Sequence, residues 1–217
     1  MNESFIQTVS MCLVITSVAA VELRKLTIAA TAYAIQALLI VTLLLSFAAM
    51  NPALYWWAGT AFITKVILVP WALFWAIPKD DDREPPPIIG FAPSVIMATL
   101  LILGFFRLTH LHAGWLAPLA KHPVLQTNLA VAATVFALGI FCVLTRRDAI
   151  KTVIGLCLLE NGVHLSLVSL APELPETALF GIATEVVVTA WLLLYVIIGV
   201  RQSFGTTDTF KLNELRR

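Results

Sequence analysis

The sequence predicts an all-α, polytopic membrane protein with seven transmembrane helices. Hydrophobic residues make up 59% of the 217 positions and charged residues only 12%, about half the charged share of a soluble domain. This composition argues against a soluble enzyme. A helix that crosses the hydrocarbon core needs about 20 mostly apolar residues. Seven stretches meet that condition: Phe5 to Val21, Thr27 to Ala49, Tyr55 to Ile77, Phe91 to Phe106, Leu125 to Thr145, Lys151 to Leu170 and Ala178 to Val200.

The positions of the cationic residues predict the orientation of the chain. Lysine and arginine in short loops resist transfer across the inner membrane. Most of them lie in the odd-numbered connections and the C-terminal tail: Arg24, Lys25, Lys79, Arg83, Arg146, Arg147, Lys151, Arg201, Lys211, Arg216 and Arg217. Arg107 and Lys121 lie on the opposite side. We therefore expect the N-terminus outside and the C-terminus in the cytoplasm.

The first stretch is expected to remain in the mature protein as a true span. It follows Asn2 and Glu3 rather than a basic segment, and it ends without a small-residue cleavage site.

The first three spans align with the last three as a parallel repeat. Arg24-Lys25 aligns with Arg146-Arg147 in the first inner loop of each half, and Thr64-Lys65 aligns with Thr184-Glu185 in the third helix. Helix four then returns the chain to the outside between the two halves.

This repeat divides the chain into three parts. Residues 1–78 form the first three-helix repeat. Residues 79–124 comprise an acidic, Pro-rich inner loop, helix four and an outer loop. Residues 125–217 form the second three-helix unit with a cytoplasmic tail. The inner loop is expected to be a solvated, stiff connector or a docking edge for a cytoplasmic partner.

Ionisable residues within the predicted spans are the candidate functional residues. Lys65, Glu160 and Glu185 lie inside helices three, six and seven, and His164 shares a helix face with Glu160 at a spacing of four. A charge at the bilayer centre costs about 2.5 to 3.5 kcal/mol on insertion scales, so such residues normally face protein or water. These four predict a proton or ion relay. The alternative is that Glu160 is a protonated acid that joins helices, and that His164 is a satisfied polar contact.

Three further features of the spans carry expectations. Gln36 and Thr64 are predicted to form interhelical hydrogen bonds rather than to belong to the relay. Pro70 removes an amide donor and is expected to disturb helix three one turn beyond Lys65. The cysteines form no CxxC pair and no metal-ligand spacing, so no metal site is predicted.

Three sequence segments resemble a known family. They are Ala61 to Pro70 (AFITKVILVP), Gly155 to Leu165 (GLCLLENGVHL) and Gly181 to Thr184 (GIAT). They look like component E of hydrogenase-4, the membrane subunit of group 4 nickel-iron hydrogenase complexes of the formate hydrogenlyase type. The resemblance covers essentially the whole chain.

The part from about Asn128 to Arg217 also resembles the small K-type membrane subunit of complex I and the C-type subunit of Mrp-like cation antiporters. Those subunits carry a membrane glutamate on each of their last two helices, and Glu185 corresponds to the second. Cys157 stands where the first is expected, and Glu160 follows three residues later. That spacing keeps the acid on roughly the same face, about 4.5 Å along the axis.

The resemblance implies a function and a set of partners. The chain would be a non-catalytic subunit in a bacterial inner membrane, between the quinone-site-type membrane subunit and large antiporter-like subunits. It would itself hold no cofactor. Nickel-iron and iron-sulfur centres in a soluble hydrogenase arm would perform the redox chemistry, coupled to proton or cation movement through this subunit. The alternatives are a subunit of an Mrp-like antiporter and a structural tether between the redox arm and the antiporter-like subunits.

Overall fold

The computed structural model describes residues 3–48, 51–77, 82–112, 115 and 123–170, and parts of 191–208. Within these ranges the chain is helical and contains no β-strand. Its six long helices are α1 (Glu3–Glu22), α2 (Leu26–Phe47), α3 (Ala53–Ala61, Phe62–Leu68 and Val69–Ala76 in succession), α4 (Phe91–His112), α5 (Pro123–Thr145) and α6 (Ala149–Leu170).

All six helices are long and apolar enough to cross a membrane, which confirms the first six predicted spans. Helix α4 is longer than predicted, because it continues past Phe106 through Arg107 to His112. The outer loop expected to begin at Arg107 therefore begins later. Most of the seventh predicted span, including Glu185, lies outside the described residues.

The interior of the bundle is formed by α1, α2, α5 and α6, with α3 packed on α2 and α4 packed on α5. Buried apolar side chains from all six helices make one continuous core. Helix α3 packs on α2, and its Lys65 side chain reaches Asn161 in the middle of α6.

Helix α3 departs from α-helical geometry where Lys65 lies. Residues Phe62–Leu68 form a π-helix, and the Val69 amide donates to the Thr64 carbonyl, five residues back. Pro70 follows immediately and cannot donate to the Val66 carbonyl. The predicted disturbance is therefore found around Lys65 itself rather than one turn beyond it. π-Helical turns are rare and are frequent at functional sites.

Helices α5 and α6 approach so closely that backbone meets backbone. A Cβ atom at Gly139 would lie 2.5 Å from the Leu159 amide nitrogen, and one at Gly162 would lie 2.5 Å from the Phe136 amide nitrogen. Small residues at such crossings allow membrane helices to pack without a water-driven hydrophobic effect. This contact fixes α6, which carries Glu160 and His164.

The segment after α3 caps the start of α2. Asp82 Oδ1 accepts hydrogen bonds from the Thr27 amide at 2.8 Å and the Thr27 hydroxyl at 2.7 Å. Burial of Asp82 opposes ionisation, but these hydrogen bonds and nearby Lys25 outweigh it and lower the pKa of the carboxyl. An acid from a distant loop thus provides the cap that Lys25, at the N-cap position, does not supply.

Candidate functional site

The Lys65 ammonium lies at mid-span with an acceptor for each of its three N–H donors. Its Nζ atom is 2.6 Å from Asn161 Oδ1, 2.6 Å from His164 Nδ1 and 2.9 Å from Glu160 Oε1. The lysine side chain is only 2% exposed. A buried ammonium is tolerated when it is paired and hydrogen-bonded in this way.

Asn161 joins this lysine to a third helix. While its Oδ1 accepts from Lys65, its Nδ2 donates to Gln36 Oε1 on α2 at 2.9 Å. Both amide side chains are fully buried. Lys65, Glu160, Asn161, His164 and Gln36 form what we call the central cluster, which connects α2, α3 and α6.

The central cluster fixes the tautomer of His164. An ammonium has no acceptor, so Nδ1 must accept from charged Lys65, and the neutral ring then carries its hydrogen on Nε2. The edge of the ring packs against buried Trp57, with ring centroids 5.3 Å apart. His164 Nδ1 also lies 3.4 Å from Glu160 Oε1, so two of the three acceptors of the lysine are close to each other.

The structure brings together three of the four predicted relay residues: Lys65, Glu160 and His164. The fourth, Glu185, lies outside the described residues. The predicted interhelical hydrogen bond of Gln36 is confirmed. The prediction for Thr64 is wrong, because its hydroxyl donates to the Thr60 carbonyl one turn back in its own helix. In a membrane helix this local acceptor is always within reach of a threonine.

Asn161 is the member of the central cluster that neither charge nor residue type marks in the sequence. It stands beside Glu160 in the quoted segment, but an asparagine in a span has no charge to draw attention. The signal was its spacing of three from His164, which places both side chains on one face of α6. That face meets Lys65 and Gln36.

A second buried ionic cluster lies at the end of the bundle where the α1–α2 and α5–α6 loops meet. Arg146 is 2.8 Å from Glu22 Oε1 and 3.1 Å from Glu84 Oε1. Ser94 donates to Glu22 Oε1 at 2.6 Å and accepts from Arg146 at 2.9 Å.

Lys151 lies in the same cluster. It donates to the Ala20 and Val21 carbonyls at the end of α1, and its Nζ lies 3.7 Å from Glu84 Oε2. We call Glu22, Glu84, Ser94, Arg146 and Lys151 the end cluster.

Glu84 departs from the prediction of a solvated inner loop, whereas Arg83 in the same loop is exposed. Glu84, from that loop, is buried between Arg146 and Lys151. Burial raises the pKa of the Glu84 carboxyl, and the two cations oppose that rise. Glu84 anchors the loop because its carboxylate balances the charges of Arg146 and Lys151. The positions of these two cations in the sequence predict only the orientation of the chain.

Residues after the seventh predicted span contact the same end of the bundle. The Thr207 hydroxyl donates to Asp148 Oδ2 at 2.7 Å, and the Ala149 amide donates to the Thr207 carbonyl at 3.1 Å. Asp148 also caps α6 by accepting from the Ile150 amide at 2.8 Å. Burial raises the pKa of Asp148, against the effect of these hydrogen bonds. Thr207 and Asp208 of the tail are therefore bound to the chain itself, Asp208 through Arg147 at 3.6 Å.

Six apolar helices with an ion pair held at mid-span define a multi-pass membrane protein with paired charges inside the bilayer. Hydrogenase-4 component E of Escherichia coli K12 is 30% identical to the chain over 210 residues, which cover 94% of each sequence. Hydrogenase-4 component E of Shigella flexneri matches with the same identity and coverage. The chain belongs to the hydrogenase-4 component E family, as the sequence segments predicted.

The C-terminal part has a second similarity. The family described as NADH-ubiquinone/plastoquinone oxidoreductase chain 4L matches residues 127–217. NAD(P)H-quinone oxidoreductase subunit 4L of Synechocystis is 28% identical over 101 residues, which cover 44% of this chain and 98% of the relative. No solved structure matches the chain. These similarities identify a membrane subunit of a respiratory-type complex.

Proposed function

We propose that this subunit carries protons or cations through the membrane arm of an energy-converting hydrogenase, and that the central cluster is its ionisable element. The observation that carries the proposal is the contact of Lys65 with Glu160 and His164 at mid-span. A structural helix contact needs one partner for a polar group, whereas here the Lys65 ammonium lies against two groups that can each take a proton, the Glu160 carboxylate and the His164 imidazole.

The geometry of the central cluster suits a short proton transfer. Lys65 Nζ and Glu160 Oε1 are 2.9 Å apart, within hydrogen-bond reach for direct transfer. Moving the proton from Lys65 to Glu160 neutralises both groups, so the cluster changes from an ion pair to a neutral pair without changing its net charge. The electric field around the cluster differs between the ion-paired and the neutral state. The protonation of the cluster is therefore coupled to the protonation of neighbouring ionisable groups. Such a two-state element can pass a signal along the membrane plane.

The exposure of the two partners is unequal. The Glu160 side chain is 26% exposed, against 2% for Lys65. A half-buried acid next to a buried cation is placed to exchange its proton with a neighbouring group, while the lysine stays within the chain. In this proposal Glu185 is the neighbouring acid, and it extends the series of ionisable residues to the last helix of the second repeat.

The orientation, the partners and the location complete the proposal. The basic loops meet at one end of the bundle, which supports a cytoplasmic placement of that end and an N-terminus outside, in a bacterial inner membrane. The partners are large antiporter-like subunits, a quinone-site-type membrane subunit and a soluble hydrogenase arm. Nickel-iron and iron-sulfur centres belong to those partners, and this chain holds no cofactor.

Replacing Glu160 by glutamine tests the relay. The amide keeps the shape and still accepts from Lys65, but it cannot accept the proton. We expect coupled proton movement in inverted membrane vesicles to be lost, while hydrogenase turnover with an artificial electron carrier continues. Glu160→Asp retains an ionisable carboxyl and should recover part of the coupling.

The structural alternative makes the opposite prediction for the same variants. If Glu160 only joins helices, Glu160→Gln should weaken the assembled complex on native gels before it changes the ratio of protons moved to electrons transferred. Full coupling in an intact Glu160→Gln complex would refute the relay.

Affinity purification of the chain in mild detergent tests the proposed partners. We expect nickel-iron hydrogenase subunits together with one or more large antiporter-like proteins, identified by mass spectrometry. Recovery of antiporter-like proteins without any hydrogenase subunit would instead favour a cation antiporter, the alternative that the C-terminal similarity leaves open.

A further inference from the structure

Gln36 engages the donor end of the Asn161 amide, opposite the end that faces Lys65. The Asn161 side chain has one acceptor end and one donor end, and only the acceptor end can stabilise an ammonium. Its donor end is engaged by Gln36 Oε1 at 2.9 Å, which leaves Oδ1 directed at Lys65 Nζ at 2.6 Å. A turned amide would place an NH2 group against the ammonium and lose the hydrogen bond to Lys65.

The three contacts form one directed chain across three helices. Lys65 on α3 donates to Asn161 on α6, which in turn donates to Gln36 on α2. Each of the three side chains is buried, so solvent does not offer a replacement acceptor. Gln36 itself never contacts Lys65 in this chain of hydrogen bonds.

We propose that Gln36 is a positioning residue, which holds the Asn161 amide so that Lys65 keeps its third acceptor and remains charged. This inference rests on the proposed relay and adds a residue on a helix that carries no charged member of the central cluster. Among the described residues, the titratable groups that face Lys65 are Glu160, His164 and Cys157 on α6. Tyr33 on α2 lies next to Cys157, Glu160 and Asn161.

Gln36→Leu removes the acceptor that orients Asn161. The protonated lysine then loses a charge-assisted hydrogen bond, so it should give up its proton at lower pH. The measurement is the rate of proton movement against pH in vesicles that contain the whole complex. We expect the alkaline limb of this profile, where the rate falls as the pH rises, to shift to lower pH by about one unit. Gln36→Asn withdraws the carbonyl by one methylene and should shift the limb in the same direction.

A double variant separates positioning from packing. Asn161→Asp presents an oxygen to Lys65 whichever way the side chain turns, but it also adds a negative charge, so the single variant Asn161→Asp is the reference. If Gln36 acts by orienting the amide, adding Gln36→Leu to Asn161→Asp should cause no further shift of the limb, whereas a merely structural role would give the same shift as Gln36→Leu alone.

Asn128→Leu is the matched control. Asn128 on α5 is also a buried amide that joins helices, since it donates to the Leu165 carbonyl at 3.0 Å and to the Ser169 hydroxyl at 2.7 Å. It lies outside the central cluster and should leave the pH profile unchanged. Wild-type profiles for both Gln36→Leu and Gln36→Asn would overturn the inference, as would an equal shift in Asn128→Leu.

The failure of this inference can be told apart from failure of the relay. If Glu160→Gln abolishes proton movement while the Gln36 variants behave as wild type, the relay stands and the positioning role falls. If Glu160→Gln leaves proton movement intact, the relay itself falls.

Discussion

Replacing Gly162 by alanine should prevent α5 and α6 from forming their native contact. The new Cβ would lie 2.5 Å from the Phe136 amide nitrogen and 2.7 Å from the Ala132 carbonyl oxygen. Both are backbone atoms, so no side chain can turn away and the helices must separate. Overpacking costs about 1 to 3 kcal/mol even where side chains can adjust, and here we expect a loss at or above the upper end. The measurement is the amount of folded subunit in detergent and its thermal denaturation midpoint.

Gly104→Ala provides the control for the same chemical change. Gly104 lies in α4, and a Cβ there would meet nothing within 4 Å. Alanine also favours helix over glycine by about 1 kcal/mol, so this variant should be neutral or slightly stabilising. Equal behaviour of the two variants would show that α5 and α6 are not in backbone contact at Gly162.

Replacing Arg146 by methionine should be the most destabilising change in the end cluster. The side chain is 1% exposed and bridges Glu22 and Glu84. Its removal leaves two buried carboxylates without their shared cation, and breaking a buried pair in this way costs about 3 to 5 kcal/mol. Combining Arg146→Met with Glu22→Gln should restore part of the loss, because the uncompensated Glu22 charge then disappears while Glu84 keeps Lys151 as a partner. Urea or thermal denaturation of the purified subunit measures both effects.

Arg147→Met tests whether position or charge matters. Arg147 is adjacent in sequence but 29% exposed, and its contact with Asp208 is 3.6 Å long. The Asp208 side chain is 7% exposed, so this is a partly exposed pair, and at 3.6 Å we expect it to contribute less than the buried Arg146 bridge and closer to the range of exposed pairs, about 0 to 1 kcal/mol. A loss from Arg147→Met as large as that from Arg146→Met would mean that the loop responds to total charge rather than to the buried bridge.

The sequence predicted the spans well because hydrophobic length is a strong signal. All six described helices were anticipated, and the error at α4 concerned only its end, where Arg107 was read as a loop residue. A single cation near a helix end does not stop a helix, since a long side chain reaches the polar interface.

The central cluster was predicted in part for a different reason. Lys65, Glu160 and His164 stand out because charge and imidazole are costly in lipid. Gln36 and Asn161 are neutral, and their importance depends on which end of each amide faces the other. That depends on three-dimensional contact between α2 and α6, which hydrophobic periodicity does not encode.

The end cluster was missed because loop charges were assigned to orientation alone. Lys151 and Arg146 satisfy the rule for basic inner loops, and Glu84 looked like one member of an acidic run. Nothing in their spacing marks them as mutual partners, since Glu84 and Arg146 are separated by 62 positions. The contact arises only when α4 and α5 pack together.

The pairing of Lys65 with α6 has a consequence for the making of the protein. During synthesis α3 is produced long before Asn161, which comes 96 positions later. The lysine must therefore enter the bilayer, or wait beside it, at a cost of about 2.5 to 3.5 kcal/mol on insertion scales, with none of its α6 acceptors present. Insertion of α3 is then expected to be completed only when α6 arrives, so the two halves of the chain are integrated as one late, cooperative event rather than helix by helix.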